Sequence, residues 1–162
     1  MKKIITLISI ICASVLLDQL TKLLVLSFME LGQSIEVIPG VLNITYIQNK
    51  GAAFGMLQNH RWVFMVVSTV AIIALGVYLF RFCKERMMMK VGIAVIIGGG
   101  IGNMIDRVAY GFVVDMIDFC PFDFWIWIFN VADACVCVGA GVVILSIVLD
   151  IVKEVKARKN EN

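Results

Sequence analysis

Two aspartates stand in apolar sequence with no basic residue beside them. Asp115 lies within Phe112-Val113-Val114-Asp115-Met116-Ile117, and Asp133 follows Asn130-Val131-Ala132, its nearest cations in sequence being Arg107 and Lys153. A carboxyl group in low dielectric without a cation holds its proton more tightly than usual. Two such groups brought together can share one proton. The ionised one then deprotonates water while the protonated one polarises a carbonyl, which is the chemistry of an aspartic peptidase. Spacing alone leaves proton relay and simple packing open beside it.

Further polar residues interrupt otherwise apolar runs. Asp18 and Lys22 are four apart with the acid first, the favourable order for an ion pair along a helix, so a purely structural pair is open here. Lys22 could also extend toward the membrane surface. Asn103, Asp106 and Arg107 are spaced i, i+3, i+4 and share a helix face; Asp106 could pair locally with Arg107, and Arg107 could offer donors to a peptide carbonyl or a phosphate. For Asp106, structural and functional readings are even. Asn130 and Asp133, three apart, share a face as well. Gly98-Gly99-Gly100 and Gly102 precede the Asn103 group and allow close helix approach.

The elements that carry these residues follow from composition. Of the 162 residues, 61% are apolar, against about 45–50% in soluble domains, and the mean hydropathy is +0.98. The excess is too large for one water-facing core, so the expected fold class is an all-α membrane protein. A span needs about 20 mostly apolar residues. Four stretches qualify, at about 4–26, 63–80, 91–110 and 127–148, in a single domain covering 1–162. The first is preceded by Lys2 and Lys3 like a signal peptide, but no small-residue cleavage site follows, so it reads as an uncleaved helix. Ten of the fourteen basic residues (Lys2, Lys3, Arg81, Lys84, Arg86, Lys90, Lys153, Lys156, Arg158, Lys159) fall on one side of these spans. That bias predicts both termini in the cytoplasm and residues 27–62 and 111–126 outside.

The first outer segment carries a Pro39-Gly40 turn signal beside β-branched residues, which predicts a small extracytoplasmic β-structure on the membrane surface. The second carries Asp115, Asp118 and Asp123, then Phe119, Phe122, Phe124, Trp125, Trp127 and Phe129, aromatics suited to headgroup depth. With this topology the charged residues of three spans fall in the outer third of the bilayer. A charge at membrane depth costs at least about 2.5–3.5 kcal/mol on insertion scales, so such residues should face the bundle interior.

The cysteines (Cys12, Cys83, Cys120, Cys135, Cys137) show no ligand spacing, and His60 is the only histidine. The cysteines read as small apolar filler, and no metal site or disulfide framework is expected. His60 and Met87-Met88-Met89 read as surface and interface residues, and Asn43-Ile44-Thr45 as a chance glycosylation-like triplet.

Five blocks together resemble bacterial lipoprotein signal peptidase, or signal peptidase II: Asp18-Gln19-Leu20-Thr21-Lys22; Gln48-Asn49-Lys50-Gly51-Ala52-Ala53-Phe54-Gly55; Gly98-Gly99-Gly100-Ile101-Gly102-Asn103-Met104-Ile105-Asp106-Arg107; Gly111-Phe112-Val113-Val114-Asp115-Met116-Ile117-Asp118; and Phe129-Asn130-Val131-Ala132-Asp133. They keep the family's order and span most of the chain. The resemblance implies that Asp115 and Asp133 are the catalytic pair. It implies that Asp18 and Lys22 support the site from the first helix, and that Asp106 supports it too by fixing Arg107. Asn49, Asn103, Arg107 and Asn130 would hold substrate or the pair, with Ala132 beside them. Residues 51–55, including Gly51 and Phe54, would form a surface loop that closes over substrate. The implied reaction is endopeptidase cleavage of a diacylglyceryl-modified prolipoprotein just before its lipidated cysteine. The implied setting is the bacterial inner membrane, with membrane lipid and prolipoproteins as partners, no cofactor, no nucleic acid, a monomeric enzyme, and inhibition by the cyclic lipopeptide globomycin.

Two other classes compete. A small transporter or proton-conducting subunit would spread polar residues through the whole bilayer depth, yet the second span has no charge in its interior and the inner halves of the others are apolar. A non-catalytic assembly partner would use its polar residues only to join helices, and would keep its function when Asp115 and Asp133 become asparagine.

Overall fold

A computed structural model of the chain describes residues 2–51, 61–83, 87–121 and 127–161. Four helices dominate: α1 (Lys2–Phe28), α2 (Arg61–Val77, continued by a π-helical segment Tyr78–Phe82), α3 (Met87–Ala109) and α4 (Val131–Glu161). Each is long and apolar enough to cross a bilayer. Burial in α1 runs opposite to that of a water-soluble helix. Leu16, Leu17, Leu20, Leu23 and Leu24 are between 49% and 61% exposed, whereas Asp18 is 0% and Lys22 1% exposed. Leucines outside and charges inside are stable only when hydrocarbon surrounds the bundle, and the chain is a multi-pass membrane protein.

Between the helices lies one antiparallel sheet in the order β1 (Ser34–Ile38), β2 (Leu42–Asn49), β3 (Val113–Phe119), β4 (Ile128–Phe129). The β1–β2 reversal follows from Pro39 and Gly40. Gly40 has φ +68°, and the Val41 N–H donates to the Ile38 carbonyl at 2.9 Å. β3 then joins this hairpin in the register Ile47 opposite Asp115 and Asn49 opposite Val113, with an irregularity in β2 between Ile44 and Ile47. The anticipated β-structure is therefore larger than a local hairpin. Asp115, in the outer segment after α3, sits on a central strand of this sheet. Hydropathy puts 127–130 in the fourth span; in the structure 128–129 pair with β3 and the helix begins at Val131, because Asn130 caps it.

Two apolar clusters bracket the polar residues. One, at the α1 N-terminus and the α2–α3 junction, contains Leu7, Leu79, Cys83, Met89, Ile93, Ala94 and Ile97. The other joins α1 to the sheet through Val25, Tyr46, Val114 and Met116. Close helix contact between them depends on glycine. A Cβ at Gly102 would collide with the Asp18 carboxylate, and one at Gly99 with the Ala132 carbonyl. These two positions bring α3 against α1 and α4 at the depth of the charges.

Candidate active site

Asp133 owes its position to a reciprocal cap. Asn130 Oδ1 accepts the Asp133 N–H at 2.9 Å, and Asp133 Oδ2 accepts the Asn130 N–H at 3.3 Å. This is a capping box in which asparagine and aspartate replace the commoner serine and glutamate. It explains locally why α4 starts here, and it fixes the Asp133 carboxylate at the mouth of the helix. Asp133 Oδ1 accepts from Asn103 Nδ2 of α3 at 2.8 Å.

Asp115, 1% exposed, comes from the sheet. Its Oδ1 accepts from Asn130 Nδ2 at 2.6 Å and its Oδ2 from Asn49 Nδ2 at 2.9 Å. Asn49 is held in turn by the Gly51 N–H, which donates to its Oδ1 at 3.0 Å. Asn130 thus binds Asp115 with its amide nitrogen while its oxygen caps the Asp133 turn. Burial pushes the Asp115 carboxyl up to about 6. The negative charge of Asp133 adds to the rise, and the amide donors of Asn49 and Asn130 oppose it.

Behind this pair lies a buried ion cluster. Lys22 Nζ is 2.9 Å from Asp18 Oδ2 and 3.0 Å from Asp106 Oδ2, and it donates to Asn103 Oδ1 at 2.9 Å. Asp18 Oδ1 accepts the Ala132 N–H at 2.9 Å, so α1 anchors the first turn of α4. Asp106 Oδ2 accepts the Val114 N–H at 3.0 Å, so α3 anchors β3 one residue before Asp115. The expected ion pair of Asp18 with Lys22 is present. Among the described residues no ion pair joins Asp106 to Arg107, the partner that the resemblance implies for it. Neighbouring helix residues point about 100° apart; Asp106 faces Lys22, while Arg107 donates to the Asn103 carbonyl at 3.3 Å and lies 5.8 Å from the Phe64 ring centre.

The structure thus brings together Asp18, Lys22, Asn49, Gly51, Asn103, Asp106, Asn130, Ala132, Asp115 and Asp133, with Arg107 at the edge. Phe54, and the loop 52–55 expected to close over substrate, lie outside the described residues. Asp118 is drawn away: Thr45 Oγ1 donates to it at 2.8 Å on β2. One participant escaped the sequence reading. Gln19 Nε2 lies 2.9 Å from Asp106 Oδ1, 3.1 Å from Asp18 Oδ2 and 3.1 Å from the Gly102 carbonyl. Its neighbourhood to Asp18 on a lipid-facing helix was the available signal.

A four-helix membrane enzyme with a buried acidic centre at the junction of bundle and sheet is the class that fold and site define. The signal peptidase (SPase) II profile matches residues 10–149. A lipoprotein signal peptidase of Halalkalibacterium halodurans is 41% identical over 148 residues, covering 91% of this chain and 93% of that protein. One of Symbiobacterium thermophilum is 44% identical over 136 residues, 84% and 90% of the two chains. A solved bacterial membrane enzyme superposes with a TM-score of 0.84 at 37% identity, covering 90% of this chain and 89% of that one. The chain belongs to the signal peptidase II family and is an aspartic peptidase.

Proposed function

We propose that the chain cleaves diacylglyceryl-modified prolipoproteins just before the lipidated cysteine, with Asp115 and Asp133 as the catalytic pair. The observation that carries this reading is the double engagement of Asn130, which binds the Asp115 carboxylate and caps the turn bearing Asp133. One carboxylate takes a proton from water, whose oxygen attacks the scissile carbonyl carbon. The other, protonated, donates to the carbonyl oxygen as charge develops there. Collapse of the tetrahedral intermediate breaks the C–N bond, and the cysteine nitrogen leaves with a proton from the pair. Arg107, half-buried beside the pair, is suited to hold a substrate carbonyl. Gly51, Asn49 and the loop that follows, Phe54 included, would cover the substrate.

The charge bias of the loops supports cytoplasmic termini, with the pair near the outward face of the inner membrane. A substrate with a transmembrane signal helix and acyl chains presents its scissile bond at that depth. The whole chain acts as one domain, and as a monomer. The test is mass spectrometry of products from a lipidated prolipoprotein peptide and its unlipidated twin, with and without globomycin. A single cut before the lipidated cysteine, blocked by globomycin and absent from the twin, is expected. Equal cutting of the twin, or a cut elsewhere, would contradict the specificity.

A further inference from the structure

Lys22 lies too deep in the bundle to meet substrate, being 1% exposed, yet it touches more than its two counter-ions. Its third contact is Asn103 Oδ1. An ammonium has three donors and no acceptor, so the asparagine must turn its oxygen toward Lys22. Its NH2 group is then left facing Asp133, to which it donates at 2.8 Å. The other donor to Asn103 Oδ1 is the neutral amide of Asn130 at 3.1 Å. A charge-assisted bond is roughly twice as strong as a neutral one, so Lys22 is the stronger determinant of which way the amide points.

We infer that Lys22 is a positioning residue for peptide hydrolysis: by holding the side-chain oxygen of Asn103, it commits that amide to donate to Asp133. Asp18 and Asp106 hold the ammonium in place at 2.9 and 3.0 Å, so three buried residues behind the pair set the polarity of one amide at the reacting carboxylate. This deepens the reading of Asp115 and Asp133 as the catalytic pair and rests on it. Among the described residues, the charged groups around that pair are Asp18 and Lys22 from α1 and Asp106 and Arg107 from α3, so the field of Lys22 must be separated from its contact with Asn103.

A double-mutant cycle makes that separation. The background is Asp106→Asn, in which Lys22→Met takes the formal charge of the Asp18–Lys22–Asp106 cluster from zero to minus one, the wild-type value, and the same change of field enters both legs of the cycle. In it, Lys22→Met, Asn103→Ala and their combination are assayed for cleavage of a lipidated peptide across pH. With Asn103 present, Lys22→Met should lower kcat roughly tenfold or more and leave KM within about threefold. With Asn103→Ala, adding Lys22→Met should change kcat less than about twofold. Equal losses in both backgrounds, or a loss confined to KM, would overturn the inference. If the Lys22→Met chains do not fold, Asn103→Asp decides. Its carboxylate can accept from Lys22 but cannot donate to Asp133, so kcat must fall and the acid limb of the pH profile move upward. A wild-type profile for Asn103→Asp overturns the inference. Activity retained by Asp115→Asn or Asp133→Asn would instead reject the catalytic pair itself.

Discussion

At the residue scale, the site is a chain of amides between carboxylates. Asn49 and Asn130 both donate to Asp115, and hydrogen bonds to the charged form favour ionisation. They restrain a carboxyl that burial alone would push higher than about 6. Asn49→Ala removes one restraint, so the Asp115 ionisation should move to higher pH. The check is the pH dependence of kcat/KM, in which an ionisation near 6 should shift upward; a downward shift would contradict this role. Asp115 and Asp133 were legible as candidate acids because each stands in an apolar run with no cation at helical spacing, but spacing alone left proton relay and packing open, and their choice as a pair rested on the family resemblance. The role of Asp106 was not, since adjacency to Arg107 suggests a pair that helix geometry turns apart. Gln19 gave no charge to notice, and its three contacts lie on another helix or on its own neighbour.

At the element scale, helix starts and glycine contacts aim the side chains. Asn130→Ala should cost α4 its cap, about 1 kcal/mol of stability. Activity should fall by much more than that loss of fold explains, because the same amide binds Asp115. Thermal unfolding in detergent and cleavage rate, measured on one preparation, check the two effects; equal, small effects on both would argue that Asn130 is only a cap. Gly102→Val should destabilise by about 1–3 kcal/mol, typical of overpacking, since its side chain would enter the space of the Asp18 carboxylate. An unchanged unfolding temperature would contradict the close α1–α3 approach. The four spans were legible because hydropathy integrates over whole helices. Strand β3 was not, because its partner β2 lies more than sixty residues away in sequence and pairing at that distance leaves no local pattern. Residues 127–130 misled for a related reason: Trp127, Ile128 and Phe129 are as apolar as a span, and only the Asn130–Asp133 capping pair marks where the helix begins.

At the scale of the whole molecule, the bundle turns its leucines outward and encloses a polar layer between two apolar clusters. The proposed topology, with cytoplasmic termini, would turn that layer toward the outer face. In a variant with its five cysteines replaced, a membrane-impermeant maleimide applied to intact cells should label Ser34→Cys and spare Lys156→Cys; the reverse pattern would invert the topology. The fold brings acids from distant parts of the chain to one amide, Asp115 from a strand and Asp133 from a helix. The most direct test of that claim is lipidated-peptide cleavage by Asp115→Asn, Asp133→Asn and Asp106→Asn, each confirmed as folded by its unfolding transition. The first two should lose at least about a thousandfold in kcat, and Asp106→Asn should keep measurable turnover. Cleavage near the wild-type rate by folded Asp115→Asn or Asp133→Asn would contradict the account.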